Sequence, residues 1–152
     1  MIKHIKCDIF ESGANLILHQ VNCQGVMGSG VAKQVREKYP NVYVQYKNLC
    51  DMHNEKKSAL LGKTLVVDTG DNFIANLFAQ EFYGYDGKCY TDYNALKKCL
   101  QTAENYLDWD DVVAIPYLMG CYRGGGDWNV VCKMIEDIFA DNDVLICEYN
   151  GG

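Results

Sequence analysis

The sequence predicts an α/β domain whose central sheet has about six strands, mixed but largely parallel, with helices on both faces. Short apolar runs alternate with stretches of helical periodicity along the chain. Several runs, including Leu16-Ile17-Leu18 and Val112-Val113-Ala114-Ile115, are apolar on both faces, as strands covered from both sides require. With 152 residues, 49% of them hydrophobic, the chain is long enough for one domain with a substantial core. Residues 1–152 therefore read as a single unit, without linker, repeat or low-complexity segment.

The elements follow in order. Strands are expected at Ile2–Lys6 and Leu16–Asn22. The second runs into a turn punctuated by Gly25, Gly28 and Gly30, within HQVNCQGVMGSGVAK, and then into a helix from Val31 to about Lys38. Pro40 can open another helix reaching about Met52, with Val44, Tyr46 and Leu49 available for packing. Asn54–Lys57 reads as a solvated loop. Strands follow at Thr64–Asp68 and Phe73–Ala79. Asp92 can cap a third helix with Leu96, Leu100, Ala103 and Leu107 on one stripe. After a strand at Val112–Pro116, Asp127 can cap a helix from Trp128 to Ala140, where Val131, Met134, Ile135, Ile138 and Phe139 recur at helical spacing. Val144–Tyr149 reads as the last strand.

Two of the connections suggest an anion site. Glycines without a Cβ let backbone amides press close to a ligand. A helix following such a turn adds unpaired amide donors and the positive end of its dipole. The turn after Asn22 has this form, and so does Gly120-Cys121-Tyr122-Arg123-Gly124-Gly125-Gly126-Asp127-Trp128 after Pro116. In a sheet covered on both faces, two such loops converge on one crevice outside the carboxyl ends of the strands. Each also reads as a simple structural connection. The spacing fits neither a P-loop, which needs Gly-Lys-Ser/Thr, nor a dinucleotide fingerprint, since Gly28-Ser29-Gly30 lacks the third glycine.

Composition narrows the function. A net charge of −6 argues against general affinity for nucleic acid or anionic membrane. The eight cysteines are scattered through apolar segments with no CxxC pair, which suits buried free thiols in a reducing cytoplasm. No signal peptide is apparent, and no apolar run approaches the ~20 residues that span a bilayer. His4, His19 and His53 stand apart, so no metal site is expected.

Five segments, in order, resemble the macrodomain family over nearly the whole chain. They are Cys7-Asp8-Ile9-Phe10, where the family usually reads Gly-Asp-Ile or Gly-Asp-Leu; Val21-Asn22 through Gly28-Ser29-Gly30-Val31-Ala32; Leu61-Gly62-Lys63; Asn76-Leu77-Phe78-Ala79-Gln80; and Ile115-Pro116 through Gly126-Asp127-Trp128. The resemblance is to the small branch of terminal ADP-ribose protein glycohydrolases, antitoxin macrodomains acting on ADP-ribosylated DNA, and a fungal ADP-ribose 1″-phosphate phosphatase. It implies a single three-layer α/β/α macrodomain that binds ADP-ribose or a derivative without a cofactor. ADP-ribosylated protein or nucleic acid is the implied partner.

The same resemblance implies the site. Asp8 would accept a hydrogen bond from the adenine amino group, with the Ile9 amide beside it. Gly28, Ser29, Gly30 and Val31 would hold the pyrophosphate from one side, and Gly120, Cys121, Tyr122, Arg123, Gly124, Gly125 and Gly126 from the other. Asn22 and Gln24 would face the distal ribose, and Tyr149 and Asn150 would line the adenine pocket. Asp8 also reads as a strand-end cap. Arg123 would pair with the pyrophosphate or a terminal phosphate, or stand as an ordinary exposed arginine.

Catalytic residues are harder to assign. The glycohydrolase branch uses a lysine where this chain has Gln80, and an acid near Arg123 or Gly124. Lys88 would substitute for that lysine only if Phe82–Cys89 folded back. Asp127 either caps the last helix or serves the distal ribose as general base or orienting group. His19 either sits hydrogen-bonded in the core or moves protons, as its match in the phosphatase-like branch implies. Two readings follow: a hydrolase of ADP-ribose 1″-phosphate or of an ADP-ribosyl or acetyl-ADP-ribose ester, and a non-catalytic reader of ADP-ribose.

Overall fold

The structure is a computed structural model and describes residues 1–149. Six strands, β1 (Ile2–Lys6), β2 (Leu16–Asn22), β3 (Thr64–Asp68), β4 (Phe73–Gln80), β5 (Val112–Pro116) and β6 (Asp143–Glu148), form one sheet in the order β1-β6-β5-β2-β4-β3. Every neighbouring pair is parallel except β3 with β4, which is antiparallel. This is the mixed, largely parallel sheet that the apolar runs predict.

Four helices cover it: α1 (Gly30–Lys38), α2 (Pro40–Asp51), α3 (Tyr93–Glu104) and α4 (Trp128–Ile138). Alternation along the strands divides the core in two. Leu16, Leu18, Leu77 and Ile115 pack with Leu96 and Leu100 of α3 and with Val131 and Ile135 of α4. Ile17, Val21, Ile74 and Phe78 pack on the other face with Val35 of α1 and with Val42 and Tyr46 of α2. The result is three layers.

Element ends differ from expectation by a few residues. α3 stops at Glu104, where the Asn105 amide turns back onto Thr102 and Ala103, so Leu107 packs on the core from beyond the helix. α4 ends at Ile138, because Phe139 leaves helical geometry with φ −102° and ψ 28°. Periodicity does not foretell the short 3-10 turns Ile9–Glu11 and Lys57–Leu60, since each is a single turn. The second begins inside the stretch expected to be a plain loop.

The consequence for function lies in the strand order. Five strands run the same way, so the chain leaves β1, β6, β5, β2 and β4 at one edge of the sheet, in that spatial sequence. At the far side β1 is an edge strand, largely exposed, carrying Lys3, His4 and Lys6.

Candidate functional site

A cavity of about 510 Å³ opens along that carboxyl edge. Its volume is in the range of small-molecule sites. Asp8, Ile9 and Tyr149 line the end beyond β1 and β6; Gly120, Tyr122, Arg123 and Gly124 follow β5; Asn22, Gly28, Ser29, Gly30 and Val31 follow β2; Tyr83, Gly84 and Tyr85 follow β4. The two glycine turns therefore face one crevice, and the strand order spreads the lining along a line. Gln24, Cys121, Gly125, Gly126 and Asp127 are not part of the lining. Asn150 lies outside the described residues.

At the β1 end the Asp8 carboxylate accepts from the Phe10 amide at 2.9 Å, capping the Ile9–Glu11 turn. Capping and cavity lining thus coexist in Asp8. Cys7 and Cys147 also line this end, with their sulfurs 3.7 Å apart. Burial pushes the Cys147 thiol up to about 12 and Cys121 to about 11, so neither is a thiolate nucleophile at neutral pH.

The turn after β2 is shaped from beneath by Asn22. Its Oδ1 accepts from the Gln24 amide at 2.9 Å, and its Nδ2 donates to the Val26 carbonyl at 2.8 Å. The buried Tyr46 hydroxyl donates to the same residue, 2.8 Å from both its carbonyl oxygen and Oδ1. Gln24, expected at the distal ribose, instead donates its side-chain Nε2 to the Glu81 carbonyl at 3.0 Å, tying this turn to the segment after β4. At the head of α1, Ser29 makes no side-chain cap, whereas Asp92 and Asp127 cap α3 and α4. The α1 amides are thus left available at the one α-helix start that lines the cavity among the described residues. Gly30 stands there at φ 58°, a conformation that disfavours other residues.

The turn after β5 is packed rather than loose. The Gly124 carbonyl accepts from the amides of Tyr90 at 2.7 Å and Thr91 at 3.0 Å, and the Gly126 amide donates to the Gly120 carbonyl at 2.9 Å. The Thr91 hydroxyl also donates to the Gly120 carbonyl, at 2.6 Å. In the cavity wall Leu118 holds φ 63°, the one non-glycine residue in the left-handed region among the described residues.

Asp127 is brought to the helix rather than to the crevice. Its carboxylate accepts from the Asn129 amide at 2.9 Å, its own amide donates to the Tyr93 hydroxyl, and it is exposed. It lies outside the cavity lining and begins α4 with its side chain already engaged.

His19 sits in the cavity wall but is only 2% exposed. Asn76 donates its Nδ2 to the Leu65 carbonyl at 2.9 Å, which leaves its Oδ1 to accept from His19 Nε2 at 2.6 Å. That arrangement assigns the proton to Nε2. His19 Nδ1 is enclosed without a partner among the described residues. Burial lowers the pKa from 6.5 to about 4, overriding the opposing Asn76 bond, and the imidazole is neutral at physiological pH.

This has a stability consequence. The unfolded chain takes up a proton near pH 6.5 that the folded chain refuses until about pH 4, so stability falls as pH drops through that window. The loss is expected to be about 2 kcal/mol between pH 6.5 and pH 5. Urea unfolding of wild type and His19→Gln at both values measures it; the variant should lack that part of the slope.

Gln80, at the position of the lysine expected in the glycohydrolase branch, is nine-tenths buried. It accepts from Gln20 Nε2 and donates to the Phe82 carbonyl, both at 2.8 Å. Lys88 is exposed and 3.7 Å from Asp86. The carboxylates of the cavity lining are Asp8 and Glu148, both at the β1–β6 end, and its one Lys or Arg is Arg123. Among the described residues no cluster of three His, Cys, Asp or Glu side chains could hold a metal ion, and no helix is long and apolar enough to cross a membrane. All eight cysteines are free.

Sequence reasoning misses Tyr83 and Tyr85 as site residues. The signal was available in the aromatic and glycine-containing run after β4, but its use requires knowing that β4 lies beside β2.

No family model matches the chain. It is 35% identical over 101 residues, 55% of its length and 56% of the relative, to the ADP-ribose 1″-phosphate phosphatase of Debaryomyces hansenii. It is 29% identical over 160 residues, all of this chain and 43% of the relative, to the DNA ADP-ribosyl glycohydrolase of Mycobacterium tuberculosis. The chain thus spans about half the length of the curated relatives it matches. Among solved structures, the macrodomain of Mycobacterium tuberculosis DarG superposes with a TM-score of 0.79 at 27% identity, covering 97% of each chain.

Proposed function

The chain belongs to the macrodomain family, and from that premise we propose that it binds ADP-ribose along the carboxyl-edge cavity and hydrolyses a derivative substituted at the distal ribose. The candidate substrates are ADP-ribose 1″-phosphate and ADP-ribosyl or acetyl-ADP-ribose esters, including adducts on protein or DNA. The observation that carries the reading is the linear lining. A carboxylate at one end, facing backbone turns in the middle and an arginine with tyrosines at the other match a base, a pyrophosphate and a distal sugar in sequence.

In this reading the Asp8 carboxylate accepts from the adenine amino group while still capping its own turn. The uncapped amides of α1 and the turn after β5 hold the pyrophosphate from two sides. Binding energy gathered there fixes the distal ribose against the β2–β4 end of the cavity. His19, neutral and enclosed, and Asp127, engaged with α4, act as positioning residues. Without a carboxylate at the distal end, the arrangement favours phosphoryl chemistry over glycosidic chemistry, because phosphoryl transfer depends mainly on positioning and charge stabilisation. A water oxygen would attack phosphorus while the bond from phosphorus to the 1″ oxygen breaks, one proton of that water passing to the leaving oxygen, so that ADP-ribose with a free 1″ hydroxyl and inorganic phosphate leave.

The same lack of a distal carboxylate or lysine favours a second reading, a non-catalytic reader of ADP-ribose. Calorimetry with ADP-ribose and a phosphate-release assay on ADP-ribose 1″-phosphate separate the two. Binding is expected, weakened about tenfold or more by Asp8→Ala, and so is phosphate release above the blank. Binding without product from that compound or from ADP-ribosylated protein or DNA leaves the reader, and absence of heat overturns both.

A further inference from the structure

We propose that Arg123, held by Tyr85 and Tyr122, is the specificity-determining residue that makes the site prefer ADP-ribose carrying a phosphate on its distal ribose over ADP-ribose itself. This deepens the reading above and rests on ADP-ribose occupying the cavity.

The placement comes from topology. Arg123 follows β5 and Tyr85 follows β4, while β2 lies between those strands in the sheet. The Arg123 guanidinium carbon is 4.2 Å from the Tyr85 ring centroid and 5.2 Å from that of Tyr122. The arginine side chain thus bridges the two loops across the carboxyl end of β2, far from Asp8. Backbone bonds hold the same two loops together, since Gly124 accepts from the amides of Tyr90 and Thr91.

The chemistry follows from which part of the guanidinium is used. A ring attracts the cation through its face and leaves the in-plane N–H donors free, and that edge matches a phosphate with two parallel hydrogen bonds. Arg123 makes no salt bridge among the described residues, and the nearby Asp86 is already engaged by the Tyr90 hydroxyl at 2.9 Å and by Lys88. In a molecule of net charge −6, the one cation of the lining stands where a third phosphoryl group would lie. The free 1″ hydroxyl of ADP-ribose offers that edge no charge.

The test is calorimetry of wild type, Arg123→Gln, Tyr85→Leu and Tyr85→Phe with ADP-ribose and with ADP-ribose 1″-phosphate, turnover being followed in parallel so that early injections are used. Wild type is expected to bind the phosphorylated ligand about tenfold or more tightly, and Arg123→Gln to bring the ratio to about one. Tyr85→Leu should lower the ratio and Tyr85→Phe should retain it, because the phenyl ring still offers a face. Equal affinities in wild type, or an equal loss for both ligands in Arg123→Gln, would overturn the inference while leaving ADP-ribose binding intact. No binding of ADP-ribose at all would instead remove the reading beneath it.

Discussion

Gly125→Ala is expected to destabilise the protein by about 3 kcal/mol, the sum of a left-handed backbone penalty and overpacking. Gly125 holds φ 69°. A Cβ there would collide with the Lys88 carbonyl oxygen, and would come within 2.8 Å of its carbon and 3.0 Å of Cys89 Cα. All three are backbone atoms, so no side chain can swing aside. Relief requires the turn after β5 to separate from the segment after β4, which breaks the bonds from Tyr90 and Thr91 to Gly124. The denaturation midpoint should fall at constant m, with a melting temperature lower by roughly 10 °C. Gly13→Ala is the control: φ there is 76° but nothing lies within 4 Å, so only the conformational part, about 1 kcal/mol, should appear. Equal losses in the two variants would show that the close approach at Gly125 costs nothing.

Asn22→Ala is expected to cost a similar amount, about 3 kcal/mol, and to weaken ADP-ribose binding about tenfold or more. Truncation leaves the Gln24 amide and the Val26 carbonyl without their partner, whereas Tyr46 keeps the Asn22 carbonyl as acceptor. Burial raises the Tyr46 pKa far above the ordinary phenol value, so its hydroxyl stays a donor. Asn22→Asp separates the two effects. It retains the acceptor but loses the donor to Val26, and it adds a negative charge beneath the turn proposed to hold the pyrophosphate. Affinity should therefore fall more than stability does. Unfolding curves and calorimetry on both variants measure this, and an alanine variant with wild-type affinity would mean that Asn22 does not shape the turn.

Much of the fold was legible because each element is marked locally. Alternating runs and stripes carry the strand and helix order, and Asp92 and Asp127 announce the starts of α3 and α4 by residue type alone. The two glycine turns were legible for the same reason: each is written in consecutive residues, and both line the cavity. What local sequence does not encode is the order of strands in the sheet. Tyr83 and Tyr85 become site residues only because β4 lies beside β2. Asp127 shows the complementary limit, since capping and catalysis ask for the same carboxylate after the same glycines. The bond to the Asn129 amide, a matter of where the loop travels, selects the cap.

The edge strand β1 bears on behaviour at high concentration. Its outer row of backbone donors and acceptors is a template on which another chain could stack, the route by which sheets grow into fibrils. Lys3 and Lys6 flank that row, and pairing two such edges would crowd like charges together. The positive charges on β1 thus act as gatekeepers that keep molecules of this protein from templating one another.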